Sequence, residues 1–140
     1  LLGDSSGLWF YSNREQKIHR VEAGVYGVSN GAFDEPWPKL KSGRAELSAL
    51  LDGEIRHDQL MEILTDHRVA EDHELPNTGV ELDIERLLSS RFIRSSAYGT
   101  RACTVITLDR EQRIEFSEQN YTDAEHRGSL RHETFERVSS

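Results

Sequence analysis

A single cysteine, Cys103, stands in a chain of 140 residues. One thiol forms no intrachain disulfide, no thiolate zinc site and no CxxC redox pair, so a reducing, cytoplasmic setting is expected. Apolar residues make up only 36% of the sequence, and no apolar run approaches the roughly 20 residues that span a bilayer. There is also no charged segment followed by an apolar one, as a secretory leader would need. Positive charge is the minority: 17 Lys and Arg stand against 25 Asp and Glu, for a formal charge of -8. That balance disfavours nucleic acid or an anionic membrane as the main partner and leaves small anions to local Arg clusters. Metal motifs are missing as well. HExxH is absent, and His57, His67 and His73 fall at no i, i+4 spacing, so they read as solvated surface histidines and no metal or cofactor is expected. Glu71, Asp72, His73 and Glu74 read as a solvated loop, with weak divalent-ion binding as the alternative.

What is present follows two periods. Residues 7–12 (GLWFYS) are apolar on both faces and predict a central strand; 18–21 and 25–28 predict two more, giving an antiparallel meander. From Leu40 the period changes to a helical one. Leu40, Leu47, Leu50 and Leu51 form one stripe, closed by Gly53; Leu60, Ile63 and Leu64 form a second, opened by Asp58. Asp83, Ile84, Leu87 and Leu88 predict a third helix that ends near Phe92. Period two then returns in 103–108, 114–117 and about 129–138, with a polar loop over 120–128 that Tyr121 anchors. Strands and helices are segregated in sequence, which predicts an α+β fold of antiparallel sheets covered by helices with one apolar side each. The sequence opens on Leu1 rather than Met, so a preceding segment is expected.

Two stretches carry the candidate chemistry. In 25–39 (VYGVSNGAFDEPWPK) a predicted strand delivers Asn30 to a loop that Pro36 and Pro38 stiffen around Trp37. An ordinary strand-to-helix connection is the plain alternative. In 98–104 (YGTRACT) Arg101 precedes a β run, where a guanidinium calls for a partner acid or an anionic ligand. Cys103, inside that run with no neighbouring His, reads as a buried inert thiol rather than a nucleophile. The SGRAE run at 42–46 has no phosphate-loop pattern.

The ordered stretches GVYGVSNGAFDEPWPK, LPNTGVELDIERLLSSRFI, YGTRACTVI and IEFSEQNY resemble the C-terminal half of the transport and Golgi organisation protein 2 family, also called the NRDE family. The resemblance runs from about Leu8 to Phe135 and departs at Gln119, where the family often has Arg. The family's Met-Cys start and Asn-Arg-Asp-Glu motif are not in this sequence; Asn13, Arg14 and Glu15 lack the Asp and are not that motif. Because the family is similar to N-terminal nucleophile hydrolases, the resemblance implies that residues 1–140 form the C-terminal portion of one αββα sandwich domain completed by an N-terminal half. It implies hydrolysis of an amide or thioester by the full-length protein, with Asn30 helping to bind an oxyanion and Arg101 steadying charge nearby. Ser29, Trp37, Tyr98 and Thr100 would shape the substrate pocket. The alternative that it implies is non-catalytic binding or trafficking of haem, acyl-CoA or another lipid, with a homo-oligomer possible in either case.

Overall fold

The computed structural model describes residues 1–4, 6–13, 15–29, 31–122 and 126–136. Asn30, the first of the candidate catalytic residues, lies outside the described residues. Three helices and two three-stranded antiparallel sheets make an α+β fold. No helix among the described residues is long and apolar enough to cross a membrane.

The first sheet has the order β1 (Leu2–Asp4), β2 (Gly7–Ser12), β3 (Lys17–Val21). Its aromatic strand is central, as the two apolar faces of GLWFYS require. The third member of the meander differs from the sequence expectation: β1 takes that place, and residues 25–28 join no ladder. The physical reason is Asp34. Its backbone N–H donates to the Gly27 carbonyl (3.0 Å), and its Oδ1 accepts the Gly27 N–H (3.0 Å). The polar groups that a strand would offer to a neighbour at Gly27 are thus spent on closing a loop. Asp34 takes a left-handed conformation, φ 55°, which Asp tolerates better than most side chains. Phe33 then packs against both Phe10 of β2 and Tyr26, with ring centroids 4.8 and 5.3 Å apart.

Helix α1 spans Pro38–Leu50, with Pro38 at its first position, where the missing N–H costs nothing. Helix α2 (His57–Leu64) starts where Gln59 Oε1 accepts the Arg56 N–H (3.2 Å) and Asp58 sits in the first turn. After a 3-10 turn at Asp72–Glu74, helix α3 covers Leu82–Leu88. Asp72 is held by Arg86 through Nε (2.8 Å) and Nη2 (2.7 Å), so this acidic run is engaged in an ion pair.

The second sheet has the order β4 (Ala102–Leu108), β5 (Arg113–Tyr121), β6 (Arg127–Glu136). Strand β5 runs farther than the sequence pattern suggests and β6 begins two residues earlier, with a register shift between Gln119 and Tyr121. The core lies on one face of this sheet. Phe92 (1% exposed), Cys103 and Tyr121 are buried together, and Met61 and Leu64 of α2 close over them. Tyr121 therefore anchors the end of β5, edge-on to Phe92 with centroids 4.6 Å apart. The opposite face carries Ile106, Leu108 and Phe135, each more than half exposed.

Candidate functional site

The strand-free segment 25–37 separates two clefts. The first, of about 650 Å³, runs between residues 26–29, helices α1 and α2, and the edge strand β4. Its body is apolar, with Leu40, Leu47, Leu60, Ile63, Leu64 and Val105 among its walls. Its charged lining is Lys39, Arg44 and Arg91, without a single Asp or Glu among the described residues that form it. The second cleft, of about 760 Å³, lies on the other side of Trp37, and there Glu15, Glu35 and Glu85 join Lys39.

Each base has its own setting. Arg44 donates to Asp34 Oδ2 (2.8 Å), so the acid that closes the 27–34 loop also neutralises this arginine. Arg91, only 9% exposed at its side chain, meets Glu46 at 2.7 Å and also pairs with Asp66. Asp66 is shared with Arg68, whose guanidinium, ahead of that of Arg91, holds the Asp66 carboxyl well below the usual carboxylate range. Gly43 makes room for this cluster: a Cβ there would stand 2.9 Å from Arg91 Nη1. Lys39 is different. Its Nζ donates to the Leu88 carbonyl at the end of α3 (2.8 Å) and lies 5.7 Å from the centre of the Trp37 ring. Among the described residues it makes no ion pair with a carboxylate. Burial pushes its ammonium below the ordinary lysine value.

The structure brings some of the sequence candidates together and leaves others apart. Trp37 and Tyr98 line the second cleft, and Ser29 lines the first. Thr100 lines neither; its Oγ1 accepts the Ile93 N–H (2.9 Å) and its own N–H donates to the Ile93 carbonyl (3.0 Å). Arg101 is exposed just before β4, and its Nη1 donates to the Thr122 carbonyl (2.6 Å). A backbone oxygen thus takes the place of the acid or anion that the sequence position called for. Cys103 is buried against Tyr121 near the Leu64 carbonyl, and burial raises its thiol above the ordinary value, which makes it a poor nucleophile.

One group contradicts its sequence reading. His57 is not a solvated histidine: its side chain is 14% exposed. Its Nδ1 lies 2.7 Å from Ser117 Oγ and its Nε2 lies 2.9 Å from Thr107 Oγ1. Ser117 Oγ also meets His132 Nδ1 at 2.8 Å. One hydroxyl has one proton, so it donates to one imidazole and accepts from the other. Register explains half of this cluster, because Val105, Ser117 and His132 are cross-strand partners on one face. His57 arrives from α2, and nothing in its local sequence announces that. His67 and His73 are exposed, as expected.

Comparison with known proteins places the chain in a family. The family model for Transport and Golgi organisation 2 matches residues 1–123. The mouse Transport and Golgi organization 2 homolog is 28% identical over 128 residues, covering 81% of this chain and 45% of the relative. The bovine Transport and Golgi organization protein 2 homolog is 31% identical over 121 residues, covering 79% of this chain and 44% of the relative. The chain thus spans less than half the length of these curated relatives. With a family match that takes in the first sheet, all three helices and strands β4 and β5, the chain belongs to the Transport and Golgi organisation 2 family.

Proposed function

We propose that this chain is the ligand-holding portion of a non-catalytic binding protein for lipid-like anions, an acyl compound before haem. The observation that carries this reading is the first cleft, which is apolar in body and lined, among the described residues, by three bases and no acid, in a chain whose formal charge is -8. Its volume falls within the range of small-molecule sites. Apolar walls shed water for a tail, and charge of one sign selects an anionic head. Haem, the other ligand implied by the resemblance, fits less well: the lining residues include no His, Cys or Met to hold iron axially.

Hydrolysis of an amide or thioester by the longer protein would draw its nucleophile from outside these residues. The partner in that case is the rest of the longer chain. The uncovered face of the second sheet, with Ile106 64% exposed, is a surface that the remainder of a protein twice as long could cover.

Calorimetric titration of the full-length protein with dodecanoate tests the binding reading. Saturable binding is expected, and Leu60→Asp, which puts a charge on the apolar wall, is expected to abolish it while the circular dichroism stays native. Undiminished binding by a folded Leu60→Asp protein would remove the first cleft as the site.

A further inference from the structure

Three cations line the apolar cleft, and two of them are already committed. Arg44 has Asp34 at 2.8 Å; Arg91 has Glu46 at 2.7 Å and Asp66 as well. Each of these bases brings its own countercharge, so an incoming anion gains less net charge attraction from either, although Arg91 Nε and Nη1 have no hydrogen-bond partner among the described residues. Among the described residues Lys39 has no carboxylate partner: the Leu88 carbonyl takes one of its three N–H donors and, at the C-terminal end of α3, offsets only part of its charge, and the Trp37 ring lies beside it. It lies in the first turn of α1, which holds no acidic residue, and it lines the apolar cleft beside Leu40.

We infer that Lys39 is the head-group anchor of this cleft and that the ligand is a singly charged anion on an unbranched apolar tail, a fatty carboxylate rather than a multiply charged phosphate ester. The inference rests on the binding function proposed above and fixes both the residue and the head-group chemistry. One uncommitted ammonium matches one negative charge. A diphosphate or a pair of carboxylates would need a second base free of its own acid, and the cleft lining supplies none among the described residues. With the head at Lys39, the tail lies along Leu40 and Leu47 of α1 and reaches Leu60, Ile63 and Val105. The lowered lysine value supports this placement, because an ammonium drawn partly out of water gains more from an anion than an exposed one does.

The experiment compares dodecanoate, dodecyl phosphate and uncharged 1-dodecanol by calorimetry on the full-length protein and on Lys39→Met, Lys39→Arg and Arg44→Met. In the unaltered protein dodecanoate is expected to bind about ten-fold more tightly than 1-dodecanol and more tightly than dodecyl phosphate. Lys39→Met should erase the preference over 1-dodecanol without weakening the alcohol itself, and Lys39→Arg should keep most of it. Arg44→Met, which removes a base already paired with Asp34, should lower it less than Lys39→Met does. An unchanged preference in Lys39→Met, or a loss that follows Arg44→Met instead, overturns the anchor while the cleft stands. Tighter binding of dodecyl phosphate overturns the head-group assignment. Failure of all three probes to bind the unaltered protein overturns the binding reading itself, and the anchor with it.

Discussion

The two clefts share Lys39 and Ile93 and are only a segment apart, yet they carry opposite charge. On one side the lining is Lys39, Arg44 and Arg91. On the other it is Glu15, Glu35 and Glu85 around the same lysine. Of the acids of the second cleft, Glu15 meets His19 Nε2 (2.9 Å), and the other two are tied to local backbone. Glu35 accepts the Ala32 N–H (2.8 Å), so close to Gly31 that a Cβ there would sit 1.9 Å from its carboxylate. Glu85, buried, accepts both the N–H and the hydroxyl of Thr78. Those carboxylates hold turns in place. The two arginines of the first cleft are held instead by acids that stand behind the wall, Asp34, Glu46 and Asp66, none of which lines the cleft. Segregated this way, an acidic chain keeps a cleft whose charged lining among the described residues is basic, which its net charge does not suggest.

The comparison breaks hardest at Arg91. Asp66→Ala removes one of its two acids, and with the guanidinium 9% exposed the charge is left partly uncompensated. A loss of about 2 kcal/mol in urea unfolding is expected, below the ~3–5 kcal/mol of a buried pair stripped of every partner, because Glu46 remains. The same carboxylate gives a pH signature, set by Arg68 ahead of Arg91. The folded Asp66 carboxyl titrates below its ordinary value of 3.8, so its contribution is fully present above that value and is lost as pH falls below it. The difference in stability between Asp66→Ala and the unaltered protein is therefore expected to shrink between about pH 5 and about pH 3. A difference that stays constant over that window would mean that the ionised Asp66 carboxylate is not held by Arg68 and Arg91 in the folded protein.

On the acidic side, Glu85→Ala leaves the Thr78 N–H without its acceptor. Stability should drop by about 1–2 kcal/mol, whereas dodecanoate affinity should not move, since Glu85 lines only the second cleft. Weakened dodecanoate binding would show that the two clefts are not separate sites.

The sequence made the architecture legible where local pattern and tertiary role agree. The aromatic run of β2, the leucine stripes of α1 and α2, and the β run from Cys103 all formed the elements their periods require. It misled at residues 25–28, where alternation is real but Asp34, seven positions on, claims the backbone of Gly27. Of the four residues that the resemblance assigns to a pocket, Trp37 and Tyr98 line one cleft, Ser29 lines the other and Thr100 lines neither, because a resemblance in sequence carries no packing of the loops. Arg91 was invisible: its partners Glu46 and Asp66 come from α1 and from the loop after α2, a convergence that exists only once the helices have packed. Lys39 was legible in principle. A lysine straight after Pro-Trp-Pro, opening a helix with no acid in its first turn, departs from what the helix dipole favours, and such a departure is a reason to ask what anion the position serves.

The smallest expected effect sharpens the comparison rather than breaking it. Asp34→Asn keeps an oxygen to accept the Gly27 N–H, so the 27–34 loop stays closed, but it removes the countercharge from Arg44. A second uncommitted base then faces the apolar cleft. Arg44 is still partly solvated, so the gain is that of a half-exposed ion pair: dodecanoate should bind about two- to five-fold more tightly. Dodecyl phosphate should gain more than dodecanoate, because a doubly charged head can now meet two bases at once. If calorimetry shows equal gains for both probes, Arg44 does not reach the head group, and charge selection in the cleft belongs to Lys39 alone.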